Sequence, residues 1–299
     1  MAASRGEASL TAAGRMGLLD GAKAFVTGGG ISVGRACVEL FLQHGAQVAF
    51  LDIRADRVEA VRRATGAHGY VADLADRAAV FAAIDDAAAK MAGLTVLVNV
   101  ASVMQGGRVV DTTEEQLDRM FAVNVKGYYW STQAAIPHML KAGKGSLVQF
   151  GSVAATHPAW GESYGIVKAS QMALAYQCAM EHAPTIRSNA VLCGWIADSP
   201  ASRLLQTIPE LIDPILADHP MHRTATSAEL AGTCLFLASD LSSAINGETI
   251  VADGGQTRTQ GNLNALMQKI GPLFAKNPDL IRQNAQNLAA VTPDDLMRR

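Results

Sequence analysis

A chain of 299 residues with a formal net charge of -2 can bury a substantial core, as one large α/β domain or two small ones, and feels no long-range pull towards nucleic acid or an anionic membrane. Hydrophobic residues at 49% against charged residues at 17% exclude a disordered or fibrous chain and suit a helix-rich globular enzyme. Apolar runs broken by Gly, Asp or Lys argue against a membrane span, and four scattered cysteines, Cys37, Cys178, Cys193 and Cys234, read as reduced thiols in a cytoplasm and not as a disulfide frame or a metal site.

Residues 1–17 carry Arg5, Glu7 and Arg15 but no apolar block, so a flexible leader is expected and not a secretory signal. Residues 22–27 form a short β-like run that ends in Gly28-Gly29-Gly30-Ile31-Ser32-Val33-Gly34, and 35–43 have the spacing of an amphipathic helix. Strand, glycine-rich turn and helix in that order suit a dinucleotide pyrophosphate resting on N–H groups at a helix N-terminus. An ordinary βα loop has the same local pattern.

A second strand over 47–52 ends on Asp52, about twenty residues past the turn. A carboxylate there can accept both ribose hydroxyls and repel a 2′-phosphate, which favours NAD over NADP; it can equally cap the helix that starts near Ala55. Arg35 and Arg54 pull the other way. The alternation continues with a helix over 56–64, a strand over 69–72 closing on Asp73, a helix over 77–91 and a strand over 94–98 ending at Asn99. Polar residues thus recur at one sheet edge, where open parallel sheets bind ligands. Asp73 is expected at the adenine edge, with Asn99, Val100 and Ala101 along the middle of the cofactor, unless the two polar residues only cap turns.

Residues 113–121 read as a helix with Glu114 and Glu115 in its first turn, followed by Asn124 inside an apolar run and a long helix towards Leu140. A buried amide is costly unless used, so Asn124 is either a satisfied kink or a water or proton relay to Lys168. A strand over 146–150 delivers Gly151 and Ser152 to the same edge. The next helix carries Tyr164 and Lys168 one turn apart on one face, where an ammonium can favour the phenolate and bring proton transfer into range. A strand over 186–192 opens at Cys193-Gly194-Trp195-Ile196, an apolar insertion over 199–219 reads as a lid or substrate wall, and a helix over 227–239 and a strand over 248–251 close the sheet. Beyond Gln256, two amphipathic stretches over 256–299 would cap the active-site mouth, pack on a neighbouring subunit or trail as a helix pair.

Thr27-Gly28 with Gly34, Asp52, Asp73, Asn99, Asn124, Ser152, Tyr164 with Lys168, Asn189 leading to Gly194, and Asp253-Gly254-Gly255 together resemble the short-chain dehydrogenase/reductase family in its compact single-domain branch, over residues 18–255. The resemblance implies a doubly wound, Rossmann-type parallel sheet of about seven strands with helices on both faces, forming one catalytic domain that assembles as a homotetramer or homodimer. It also implies hydride transfer between NAD(H), with NADP disfavoured, and a small-molecule alcohol or carbonyl. By that likeness Tyr164 is the acid/base, Lys168 lowers its pKa and holds the nicotinamide ribose, Ser152 polarises the substrate oxygen and Asn124 anchors a water feeding Lys168. The cofactor set is Gly28, Ser32, Val33, Gly34, Asp52, Ile53, Asp73, Leu74, Asn99, Ala101, Tyr164, Lys168, Gly194 and Ile196.

Four departures stand out. Ser32 replaces the usual second glycine, so its backbone is expected to avoid positive φ or rearrange, and its hydroxyl can contact the cofactor. The usual Asn-Asn-Ala-Gly is Asn99-Val100-Ala101-Ser102, the Ser152–Tyr164 loop is one residue short, and Cys193-Gly194 with Asp198 stand for the usual Pro-Gly and threonine, with Ser199 able to supply the lost hydroxyl. Val103, Met104, Val153, His157, Trp160, Trp195, Leu204, Leu205 and Ile208 are candidate walls for a largely apolar secondary alcohol. The alternative is a silent NAD-binding sensor or scaffold that uses the extension for a partner.

Overall fold

The computed structural model describes residues 17–105, 107–157, 162–199, 202–203, 206, 212–213, 216–217 and 219–258. The expected leader up to residue 16, the extension beyond 258, and Trp160, Leu204, Leu205 and Ile208 lie outside the described residues.

Seven parallel strands form one sheet in the order β3-β2-β1-β4-β5-β6-β7. They are β1 (Lys23–Thr27), β2 (Gln47–Asp52), β3 (His68–Val71), β4 (Val96–Asn99), β5 (Gly145–Ser152), β6 (Ile186–Cys193) and β7 (Thr249–Ala252). Between them run α1 (Ser32–Gln43), α2 (Ala55–Thr65), α3 (Arg77–Lys90), α4 (Glu114–Met120), α5 (Tyr128–Ala142), α6 (Glu162–His182) and α7 (Ser227–Ala238). The expected doubly wound fold is therefore the fold observed, with element ends displaced by no more than three residues. Start signals are local: Asp76 caps α3, and capping boxes Thr113/Gln116 and Thr226/Glu229 open α4 and α7.

Strand alternation sends each sheet face into its own core. Val26, Phe50, Val98 and Val148 pack with Val38 and Phe41 of α1 and Leu230 and Cys234 of α7. Phe25, Leu51, Leu97 and Leu147 pack with Ile84 of α3 and Ala135 and Met139 of α5. All four cysteines are free and buried, and Cys37 of α1 and Cys234 of α7 belong to the same core. None of the described helices is long and apolar enough to cross a membrane.

Chain order reverses direction between β1 and β4, so the strand ends there flank a crevice at the topological switch point. The helical run between α4 and α5 is also irregular. Phe121–Gly127 winds as a π-helix, a geometry frequent at functional sites, and it carries the buried Asn124.

Candidate functional site

A cavity of about 430 Å³ occupies this crevice. Its walls take in Gly28, Ser32, Val33, Asp52, Ile53, Asp73, Leu74, Ala101, Tyr164, Lys168 and Ile196 from the expected set, together with Ser102, Arg57, Arg119, Phe150, Gly151 and Cys193. Gly34, Asn99, Asn124, Ser152 and Gly194 are not on its surface.

The β1–α1 turn is shaped by close backbone approach. Gly28 has φ +71°, and a Cβ there would lie 2.8 Å from Ala101 Cα. A Cβ on Gly34 would come 2.1 Å from the Gly28 carbonyl oxygen, so Gly34 lets α1 press on the turn and does not itself line the cavity. Ile31 gives α1 no side-chain cap, which leaves the first-turn N–H groups available to an anion.

Ser32 takes up the positive φ that a serine is expected to avoid. Its φ is +51°, and its hydroxyl lies 2.9 Å from Ser227 Oγ. Asp198 Oδ1 accepts from Ser227 N at 2.8 Å and from Ser227 Oγ at 2.9 Å, so the Ser32 hydroxyl donates its proton to Ser227. The carboxylate of Asp198 is thereby anchored at the start of α7.

Asp52, at the end of β2, is buried. Its carboxylate accepts from Gly30 N at 3.2 Å and Arg54 N at 3.0 Å. Burial pushes the Asp52 carboxyl up, against the pull of the Arg54 N–H, the Arg57 guanidinium and the Gly30 N–H. Asp73 lines the cavity but is tied to Arg119 through bonds of 2.8 and 3.2 Å, and these outweigh desolvation to hold it below the usual carboxylate range. Asn99 faces inward: Ser131 donates to its Oδ1 at 2.7 Å, and its Nδ2 donates to Thr132 and Gln149 at 3.2 and 3.0 Å. The middle of the cavity is lined instead by Val100 and Ala101, whose N–H groups reach Thr27 Oγ1. Gly194 has a packing role as well, since a Cβ there would meet Gln256 Oε1 at 2.5 Å.

At the other end, α6 brings Tyr164 and Lys168 to the wall together. Lys168 is 2% exposed, donates to the Phe150 carbonyl at 3.2 Å, and stands 5.5 and 5.6 Å from the ring centres of Tyr164 and Tyr128. Desolvation pushes the ammonium down to about 8. Tyr164 remains partly accessible, yet desolvation also pushes its phenol up, with the nearby Ser102 hydroxyl pulling the other way. The expected lowering by Lys168 is therefore not what governs this phenol; desolvation is. Cys193 on the same wall is pushed up to about 11 by burial, with Lys168 pulling the other way, and so behaves as a neutral thiol.

Ser152 Oγ accepts from Ala154 N at 3.2 Å, which leaves its own O–H to donate. The Asn124 amide is fully engaged: Oδ1 accepts from Ser102 Oγ and Val103 N, both at 3.0 Å, and Nδ2 donates to Val103 O at 2.7 Å. Its backbone carbonyl accepts from Gln171 Nε2 at 2.6 Å and keeps a second lone pair. Of the candidate substrate walls, Val103 and Met104 line the cavity, whereas Val153, His157 and Trp195 do not.

The chemistry of this donor set fits a dinucleotide. One end offers glycine-shaped space, uncapped helix N–H groups and a carboxylate; the other offers a cation, a phenol and apolar walls. Among the described residues, no group of acidic, His or Cys side chains could hold a metal ion.

Comparison with known proteins agrees. Residues 29–257 match the family described as enoyl-(acyl carrier protein) reductase. The chain is 38% identical over 238 residues to a probable galactose dehydrogenase of Rhizobium meliloti (strain 1021), covering 77% of this chain and 93% of that protein. It is 35% identical over 246 residues to the 2-(R)-hydroxypropyl-CoM dehydrogenase of Xanthobacter autotrophicus, covering 78% and 98%. Its fold matches a short-chain type dehydrogenase/reductase from Mycobacterium ulcerans with a TM-score of 0.77 at 24% identity, over 80% of this chain and 91% of that one.

Proposed function

The chain belongs to the short-chain dehydrogenase/reductase family of oxidoreductases, and from that premise we propose that it interconverts a small to medium, largely apolar secondary alcohol and its ketone with NAD as cofactor. The observation that carries this reading is the shared cavity: Tyr164 and Lys168 form one wall of the space whose other end is the Gly28 turn and Asp52. When bound, the nicotinamide supplies or accepts the hydride.

In this reading Gly28 and the N–H groups of Ser32 and Val33 hold the pyrophosphate, and Gly34 supports them from behind. Asp52 and Ile53 take the adenosine ribose, and Asp73 and Leu74 flank the adenine. Ala101, Gly194 and Ile196 bound the nicotinamide half, with Asn99 bracing the strand end beneath. Asp52 favours NAD because its carboxylate accepts two ribose hydroxyls and repels a 2′-phosphate.

Tyr164 takes the alcohol proton in oxidation and returns it in reduction, while Ser152 donates to the substrate oxygen. Lys168 holds the nicotinamide ribose, and its positive charge favours the ionised phenol once the cavity is filled. Val103, Met104 and Ile196 supply apolar walls, and the two dehydrogenase relatives act, by name, on hydroxyl-bearing substrates. The catalytic unit is one domain over residues 18–255 of a cytoplasmic protein, consistent with four buried free thiols. Exposed Tyr176 and Met180 on α6 and Val251 on β7 favour assembly into a homodimer or homotetramer.

The test is to supply NAD and a panel of secondary alcohols and to follow the absorbance of the reduced cofactor. Turnover that vanishes in Tyr164→Phe supports the assignment. NAD binding without turnover on any alcohol or ketone would replace it with a sensor.

A further inference from the structure

Three segments far apart in the chain meet beside the cavity through one line of hydrogen bonds. Asp198 belongs to the turn that leaves β6, where Ser199 N bonds Ile196 O at 3.2 Å, and both Ile196 and Ser199 line the cavity. The residues leading into α7 run beside this turn: Ile196 pairs with Ala225 in a parallel bridge, and Ala197 N donates to Ala225 O at 2.7 Å. Asp198 takes both donors of Ser227, the first residue of α7, with Ser227 N at 2.8 Å and Ser227 Oγ at 2.9 Å. Ser227 Oγ in turn lies 2.9 Å from Ser32 Oγ in the glycine turn, and Ser32 also lines the cavity.

The line has a fixed direction. An ionised carboxylate only accepts, so the Ser227 proton is committed to Asp198 and Ser32 donates to Ser227. Ser227 is 3% exposed, and its N–H is a first-turn donor that α7 itself cannot satisfy. Ser32 holds φ +51°, a conformation that costs a serine and that its bond to Ser227 helps to maintain. A second observation points the same way. Ser32 and Asp198 are two of the departures from the family pattern, and they are the two ends of this line. The usual glycine would supply no hydroxyl at the first position, and the usual threonine no carboxylate at the second.

We propose that Asp198 is a positioning residue. Through Ser227 and Ser32 it fixes the turn that receives the pyrophosphate, and through its own backbone it fixes Ile196 and Ser199 at the nicotinamide end, so the two ends of the cavity bind as one unit. The proposal rests on the reading of this cavity as the cofactor site.

The probe is ADP, which carries the adenosine and the two phosphates without the nicotinamide half. Its affinity, and that of NAD, is measured by calorimetry for the unaltered protein, Asp198→Ala, Asp198→Asn, Ser32→Ala and the double variant of Ser32→Ala with Asp198→Ala. Asparagine keeps an oxygen for both Ser227 donors and removes only the charge. Asp198→Ala is expected to weaken ADP about fivefold although Asp198 is not on the cavity surface, and Asp198→Asn to stay within about twofold of the unaltered protein. Ser32→Ala should match Asp198→Ala, and the double variant should lose no more than either, because all three break one line. With saturating NAD, Ser32→Ala should also raise the KM for the alcohol about threefold while kcat stays within about twofold, an effect at the end it does not touch. Ser32→Ala approaches the line from the other side, so a folding defect in Asp198→Ala does not end the test. Unmoved ADP binding in both alanine variants, an unmoved KM in Ser32→Ala, or a double variant that loses the product of the two single losses would overturn the proposal and leave Asp198 as a cap on α7. Tighter ADP binding in both Asp198→Ala and Asp198→Asn would overturn it as well, since charge repulsion alone would then act. An unaltered protein that binds neither ADP nor NAD would overturn the cofactor reading itself.

Discussion

The two ends of the cavity are built from different materials. At the β1–β2 end the work is done by backbone shape: Gly34 leaves room against the Gly28 carbonyl, N–H groups hold Asp52, and α1 starts without a side-chain cap. At the β4–β6 end it is done by side chains whose charged forms the protein disfavours. Lys168 is pushed down to about 8, Cys193 is pushed up to about 11, and the Tyr164 phenol is also raised. Conformational constraint dominates the first end, where desolvation also acts on the Asp52 carboxyl and the Arg57 guanidinium, and desolvation dominates the second. Substitutions in the glycine turn of the first should therefore change affinity and stability with little effect of pH, and substitutions at the second should change rate and pH dependence.

The largest expected effect tests the second end. Tyr164→Phe should lower kcat by about 10²–10⁴-fold, the range for losing a positioned acid/base, with the thermal midpoint nearly unchanged. Lys168→Met should cost about 10²-fold in kcat and yet raise stability. The ammonium falls from an ordinary 10.5 to about 8 in the folded chain, so between those values the unfolded state binds more protons and this group's contribution to stability rises with pH. Below that window the buried cation costs about 3 kcal/mol. Denaturant unfolding of the cofactor-free protein at pH 7 should show the variant more stable, with a weaker rise towards pH 10. A less stable variant would mean that the Phe150 carbonyl and the two aromatic rings fully compensate the charge, and the contrast between the ends would fail.

Gly34→Ala tests the first end. Its methyl would have to displace the Gly28 carbonyl, an overpacking expected to cost about 1–3 kcal/mol. Weaker NAD binding should follow, measured by titration, with the pH profile of the remaining kcat unmoved. Asp52→Ala is smaller again. It should narrow the preference for NAD over NADP by about tenfold, through loss of one charged acceptor. An unchanged preference would mean that the Asp52 carboxylate does not set that discrimination.

The same contrast explains what could be read from the sequence. Strand and helix order, the Gly28–Gly34 turn and the pairing of Tyr164 with Lys168 depend on local spacing, and they appear where the residues put them. Asn99 was a strand-end polar residue in the pattern, but strand alternation cannot tell whether the last side chain points to the cavity or into the Ser131–Thr132–Gln149 network. Ser102 was visible as a missing glycine; that it adds a hydroxyl beside Tyr164 depends on α6 packing from sixty residues away. Gln171 carried a readable signal, a polar residue among Val167, Met172 and Ala175, of the same kind that singled out Asn124. Arg57 and Arg119 had none, since only the folded crevice brings them beside Asp52 and Asp73.

Ser32→Gly is the finest probe of the comparison, because two effects of similar size oppose each other there. A serine at φ +51° carries a conformational cost of about 1 kcal/mol that glycine would relieve. The same change removes the bond to Ser227 Oγ, worth about 1 kcal/mol when both partners are satisfied. The net shift in unfolding free energy should stay within about 1 kcal/mol. Ser227→Ala separates the two terms, since it breaks the bond without relaxing the backbone and leaves Asp198 with one acceptor interaction fewer, so it should destabilise by about 1–2 kcal/mol. In the double variant the bond is already gone, and glycine should then recover its conformational advantage in full. If Ser32→Gly alone costs more than Ser227→Ala, hydrogen bonding through Ser227 and Asp198 holds this end in place, and backbone shape is the consequence of that network and not its cause.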